Sequence, residues 1–385
     1  MREIFPFGRP VSGQHLVGRD KIVTEIIAML KSGQSIMLSA PRRYGKTSVV
    51  LEVLRKLKLK GYYIGTVDIF ATPSRRRLAE KIVETTLECK GISGDKIINI
   101  ARSGIDKLRK AVKLSHITRD GYEIVLSFAG DVTNENILLD EALDFPETFS
   151  KKHKKKMIFA YDEFGDIEGI NGNLIKNMRS KFQKHKNVTY IFTGSQESLM
   201  NRLFTDKKEA FYGFCRIIDL PKVPEDSFTT YIINSYKRLD ITISKETVKN
   251  IVMKTECHPY YTQYVCHVIY FAVKGEKNEI GMDDVELGYK SAMELHRAYF
   301  DNLWHRIMQE SMLQLKLLIY LAVNYEKSPY TVFDDRRQNI YSALTSLINK
   351  GMISKENNRY RFLDPLFKNY IVQKEKGEST NLQIS

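Results

Sequence analysis

The run Ser39-Ala-Pro-Arg-Arg-Tyr-Gly-Lys-Thr-Ser48 constrains this chain more than any other stretch. It follows a short apolar strand pattern, Ser35–Ser39, and opens a helical pattern from about Lys46 to Lys58. Strand, glycine-containing loop and helix in that order make a cradle for phosphate groups. Successive backbone N–H groups point inward, and the helix N-terminus adds its positive dipole end. Gly45 lets the main chain approach a phosphate without a Cβ in the way. Lys46 is then placed to reach the β- and γ-phosphates, and the Thr47 hydroxyl to ligate Mg²⁺. Pro41, Arg42, Arg43, Tyr44 and Ser48 complete the expected nucleotide-contacting loop. Ala40 stands where this spacing usually begins with glycine, so the first turn must avoid a positive φ.

A second apolar strand pattern, Met157-Ile-Phe-Ala-Tyr-Asp-Glu163, ends in two acids. Phosphoryl transfer to water needs a carboxylate on the metal shell and another to polarise the water. Asp162 is the candidate for the first and Glu163 for the second. A third pattern, Thr189-Tyr-Ile-Phe-Thr-Gly-Ser195, ends in polar residues. Placed between the other two strands, its tip would sense a γ-phosphate through Thr193 or Ser195.

The rest of the chain divides by pattern. Asp20 caps a helix with Ile22, Ile26, Ile27 and Leu30 on its apolar face, ended by Gly33. Gly61–Ile69 reads as a strand, residues 74–113 as mostly helical, and Tyr122–Phe128 as a further short strand. Alternating strands and helices predict a mostly parallel α/β sheet. After Pro221 and Pro224 the text turns helical to about Arg306. Two more helices, Leu313–Tyr325 and Gln338–Lys350, precede a hairpin built on Met352–Ser354 and Arg359–Phe362, which is the winged-helix order. The expected divisions are residues 1–225 for a P-loop ATPase core, 226–306 for a helical lid, 307–372 for a winged helix and 373–385 for a disordered polar tail.

Lys and Arg number 60 against 46 acids, a net charge of +14, which permits a polyanionic partner without requiring one. The densest basic run is Lys151-Lys-His-Lys-Lys-Lys156, and charge runs of this kind are usually solvated. No apolar stretch is long enough to span a bilayer, and the first residues lack the apolar core of a signal peptide, so the cytoplasm is the expected compartment. The four cysteines, at 89, 215, 257 and 266, form no CxxC pair and suit neither zinc nor a disulfide framework.

Taken together these residues resemble the archaeal and bacterial predicted ATPases of the AAA+ superfamily, close to the signal-transducing (STAND) and origin-recognition ATPases. The resemblance runs from Phe5–Val11 and His15-Leu-Val-Gly-Arg-Asp20 through the phosphate loop, Asp162-Glu-Phe164 and Thr193-Gly-Ser195. It continues to Cys257-His-Pro-Tyr-Tyr261 and Tyr360–Pro365. It implies an α/β P-loop NTPase of the AAA+/ASCE type: a five-stranded core with the sensor strand between the other two, a helical lid and a C-terminal winged helix. It also implies ATP/ADP as the nucleotide, with Val17, Gly18 and Arg19 near adenine, and His258 and Pro259 of the lid over the nucleotide. Cys257 replaces the first glycine of the family's Gly-x-Pro lid motif. Arg216 matches the position of an arginine that reaches a γ-phosphate, in trans across an oligomer.

The leading expectation is a Mg²⁺-dependent, ATP-hydrolysing switch that couples nucleotide state to the winged helix. Two rivals stand beside it. One is an origin-recognition-like initiator or loader, in which Gln338–Lys350 with Arg336, Arg337, Lys350, Arg359 and Arg361 meets duplex DNA. The other is a protein-binding signalling or defence regulator that keeps its nucleotide as a structural part. A nucleotide-dependent oligomer is compatible with each, and none involves a membrane.

Overall fold

The computed structural model describes residues 4–89, 112–114, 126–128, 135–170, 173–324, 328–333, 335–356 and 359–382. The chain forms two compact units. A sheet unit comprises Asp20–Ala40 and Lys46–Leu220. A helical unit comprises Met1–Arg19, Pro41–Gly45 and Pro221–Ser385.

The sheet unit contains helices α1 (Asp20–Lys31), α2 (Lys46–Leu59), α3 (Arg75–Glu88), α4 (Glu135–Lys152), α5 (Leu174–Phe182) and α6 (Glu197–Thr205). Its strands are β1 (Ile36–Ser39), β2 (Tyr63–Asp68), β3 (Val112–Leu114), β4 (Leu126–Phe128), β5 (Met157–Asp162), β6 (Val188–Thr193) and β7 (Arg216–Asp219). Five strands form a parallel sheet in the order β2-β5-β6-β1-β7. Strand β1 is wholly buried, as is β6, because helices cover both faces of a parallel sheet; the edge strand β2 alternates instead. The sensor strand β6 lies between β1 and β5, as the resemblance implies. Tyr161, Phe164, Phe182, Tyr190, Phe192 and Phe211 anchor the core of this unit.

Two details differ from the sequence reading. Strand β7 is only four residues long, too short to show a period, and was not anticipated. Val112–Leu114, read as the end of a helix, is a strand paired antiparallel with β4. Residues 90–111 and 115–125, which carry the rest of those two expectations, lie outside the described residues.

The helical unit contains α7 (Glu225–Lys237), α8 (Lys245–Lys254), α9 (Pro259–Val273), α10 (Met282–Glu310), α11 (Met312–Val323), α12 (Arg337–Asn349) and α13 (Pro365–Leu382). Two short parallel strands, β8 (Thr242–Ile243) and β9 (Glu279–Ile280), and the antiparallel hairpin β10 (Ile353–Glu356) and β11 (Arg359–Phe362) complete it. One continuous apolar core runs from α7 through α13. The chain's lead-in belongs to it: Phe5 is buried against Tyr231 and Tyr236, and Phe7 packs edge-on to Tyr264 and His267. The composition of residues 1–17, rich in breakers, gives no periodicity from which that docking is readable. The helix α13 runs on to Leu382, into the polar segment from residue 373 that was expected to be disordered.

Candidate functional site

In the sheet unit, the residues expected to handle phosphate and metal converge at the C-terminal ends of the strands. Lys46 begins α2 and is buried; its ammonium donates to the Ala40 carbonyl at 2.6 Å. One residue on, the Thr47 hydroxyl meets Oδ2 of Asp162 at 3.4 Å. The other oxygen of Asp162 accepts the Thr193 hydroxyl from the tip of β6, and also the Glu163 N–H at 3.1 Å. One carboxylate is thus gripped by the helix that follows the phosphate loop and by the sensor strand.

Glu163 holds a left-handed φ of 48°, a strained conformation for a residue with a Cβ. That turn sends its carboxylate to the Ser195 backbone, whose N–H donates to Oε2 at 2.7 Å. Of the two sensor candidates, Thr193 contributes its hydroxyl to these contacts and Ser195 its main-chain N–H. The approach of these two turns is close. A Cβ on Gly194 would lie 2.8 Å from the Met200 side chain, and the Gly165 nitrogen is next to it.

Sequence reasoning missed Asp68. It ends β2, in register with Asp162, and its carboxyl is pushed up, first by burial and then by the charges of Asp162 and Glu163. An acid at the end of an apolar strand was the available signal. Asp68, Asp162 and Glu163 make an oxygen-rich rim. A hydroxyl and a carboxylate from such a rim are hard donors, the type that holds Mg²⁺ alongside phosphate oxygens and water.

Arg216 is not part of this cluster. It opens β7 and pairs in register with Ile36, at the start of β1, whereas the phosphate loop leaves from the other end at Ser39. Its N–H donates to the Ser35 carbonyl at 3.0 Å. The parallel register that fixes this position depends on β7, which the sequence pattern does not reveal. The basic run 151–156 ends α4 and is mostly exposed, with Lys155 over the Tyr63 ring at 4.4 Å, as a solvated helix end would be.

In the helical unit, residues Pro41–Gly45 are fixed by side chains distant in sequence. Gly45 has φ +89°, open to glycine at little cost. Arg43 has φ 63° without that freedom, so its surroundings must supply the constraint. Its guanidinium lies over the Tyr260 ring at 4.6 Å. The Tyr44 ring is buried, edge-on to His258 at 4.9 Å. Arg19 is buried too; it donates to the Tyr44 carbonyl at 3.2 Å and to the Pro221 carbonyl. Burial lowers its pKa to about 10. Arg19 is therefore a clamp on the loop's main chain. Gly18 packs so tightly that a Cβ would fall 3.0 Å from Pro224, and Val17 lies against the apolar core.

His258 caps α9 and Pro259 begins it, the position where proline costs no hydrogen bond. Cys257 just before has φ 56°, which explains why a glycine suits this motif: the turn is left-handed. His258 is fully enclosed and its Nδ1 has no hydrogen-bond partner among the described residues. Burial, reinforced by the Arg43 and Lys222 charges, drops its pKa to about 3, so the ring is neutral.

No family model matches the chain, and no curated protein matches it. Among solved structures it is similar to the Walker-type ATPase of Pyrococcus abyssi, at TM-score 0.67 and 15% identity over 95% of this chain and 99% of that one. It is also similar to the Aeropyrum pernix ORC2 protein in its ADP form, at TM-score 0.51 and 11% identity over 96% and 97% of the two chains. Likeness at such low identity establishes the fold alone: a five-stranded parallel α/β core with a phosphate loop, and a helical C-terminal region. Among the described residues no helix is long and apolar enough to cross a membrane, and no cluster of His, Cys, Asp and Glu has the form of a metal cage.

Proposed function

We propose that the chain binds ATP with Mg²⁺ at its phosphate loop, hydrolyses it, and uses the cycle as a switch. The observation that carries this reading is the double grip on Asp162 by Thr47 and Thr193. It brings a helix-start hydroxyl, a strand-end carboxylate and a sensor hydroxyl together, the minimum set for a hydrolytic P-loop site. The Pyrococcus and Aeropyrum structures named above, a Walker-type ATPase and an ADP form, agree with a nucleotide as ligand.

Thr47 and Asp162 would hold Mg²⁺, which neutralises charge on the phosphate oxygens. Lys46 leaves the Ala40 carbonyl for phosphate, exchanging a neutral acceptor for a charged one. Glu163 orients the attacking water and accepts its proton. To do so it shares or releases the Ser195 N–H, which ties the base to the sensor turn. Helices α11 and α12 with the β10–β11 hairpin form the winged helix that receives the change. Turnover abolished by Glu163→Gln, with ATP binding kept, supports this reading; ATP binding unaffected by Lys46→Ala removes it.

A second reading, duplex DNA as the switch's partner, is favoured by one observation. Arg336 and the first turn of helix α12, Arg337, Gln338, Asn339 and Tyr341, are exposed, and so are Arg359 and Arg361 of the hairpin. Filter binding across a salt series tests it: affinity must rise as salt falls, and none at low salt removes DNA in favour of a protein partner.

A further inference from the structure

The loop side chains Arg43 and Tyr44 do not end at the nucleotide. Arg43 lies over Tyr260, and Tyr44 meets His258, which packs on Tyr261 with ring centroids 4.4 Å apart. Tyr261 is completely buried, and its hydroxyl donates to Oδ2 of Asp364 at 2.7 Å across 103 residues. Asp364 sits between the hairpin and α13. Its other oxygen accepts the N–H groups of Leu366 at 2.9 Å and Phe367 at 3.0 Å, capping that helix. His296 of α10 stands edge-on to both tyrosines and closes the cluster. Burial above all, and then the Asp364 carboxylate, hold the proton on the Tyr261 hydroxyl, and the Arg43 guanidinium opposes them.

Resting on the reading of the loop as an ATP site, we propose that Tyr261 and Asp364 are positioning residues for the phosphate loop. Through Arg43 they join its conformation to the cap of α13.

Three facts carry this. The left-handed Arg43 backbone needs external support, and the visible supports are Tyr260, the buried Tyr44 and the Arg19 clamp. Arg43 is exposed on its other side, so an arriving polyphosphate can take it. A guanidinium–phosphate pair, bidentate and charge-assisted, outcompetes a cation–π contact. Once Arg43 leaves the Tyr260 ring, which stands edge-on to Tyr261 at 5.3 Å, the Tyr261–Asp364 bond loses one of the contacts that locate it, and the α13 cap loosens. Linkage makes the effect mutual: whatever loosens the cap also favours the nucleotide-bound loop.

Hydrogen–deuterium exchange on the full chain tests this, with and without Mg²⁺ and adenylyl imidodiphosphate at saturating concentration. In the wild type the analogue should speed exchange at Leu366 and Phe367. Arg43→Ala should abolish that response. Tyr261→Phe, which keeps the ring, should speed exchange without nucleotide and tighten analogue binding by about five- to tenfold. The proposal is overturned by a wild type that binds the analogue without any change at these amides. It is equally overturned by a response that survives in Arg43→Ala, or by unchanged affinity in Tyr261→Phe. A wild type that binds no analogue overturns the ATP-site reading as well, so the two failures are separable.

Discussion

The Thr193 hydroxyl donates to Oδ1 of Asp162, the carboxylate whose other oxygen faces Thr47. A residue on the sensor strand therefore orients the expected metal ligand without being one. Outer partners of this kind change metal affinity or activity by about 10–100-fold when removed. Thr193→Val should reduce Mg²⁺-dependent ATP turnover by that factor, and raised Mg²⁺ should recover part of it. A magnesium titration of steady-state turnover checks this.

Lys46 spends its charge on the Ala40 carbonyl in this structure. Exchange of that bond for phosphate oxygens adds charge-assisted hydrogen bonds, each contributing about 1.5–3 kcal/mol. Lys46→Ala should therefore weaken ATP binding by at least about tenfold, measured by isothermal titration calorimetry.

Glu163→Gln preserves an oxygen for the Ser195 N–H and removes only the basicity. Hydrolysis should fall by about 10²–10⁴-fold, the usual contribution of a positioned base, while ATP affinity stays within about a factor of three. Single-turnover kinetics beside equilibrium binding separates the two quantities.

His258 links pH to stability. Its pKa drops from an ordinary 6.5 to about 3 in the fold. Below pH 6.5 the unfolded imidazole takes a proton that the folded one refuses, so stability is lost as pH falls through that window and retained above it. Between pH 6.5 and pH 5 the loss reaches about 2 kcal/mol at most, at about 1.4 kcal/mol per pH unit. His296, also lowered by burial, adds in the same direction. Denaturant melts at pH 7 and pH 5 should show this slope, and His258→Gln should flatten it.

Gly65 of β2 has no room for a side chain: an added Cβ would lie 2.6 Å from the Phe159 ring of the neighbouring strand. Phe159 is itself buried, so the ring has little space to yield. Gly65→Ala should cost about 1–3 kcal/mol of stability, the range for overpacking, and lower the melting temperature without altering the loop chemistry.

Much of this site was legible in sequence. The Gly45-Lys46-Thr47 step and the Asp162-Glu163 pair are local patterns, in which each residue's place follows from the strand or helix that carries it. The order β5-β6-β1 came from resemblance and from nothing in the spacing. The place of Arg216, at the other end of the sheet from the phosphate loop, was not readable because β7 is too short to show a period. The hold of Arg19 on the Tyr44 carbonyl, across 25 residues, was not readable from local pattern either.

By itself the sequence determined the candidate chemistry: a phosphate-loop pattern and two adjacent acids at a strand end, each written within one turn or one strand end. Tertiary structure alone decided which side chains govern that loop. Tyr261 meets Asp364 across 103 residues, and Arg43 holds its left-handed turn against Tyr260. Local propensity encodes what a short segment does alone, whereas contacts between distant segments exist only once a buried core has brought them together.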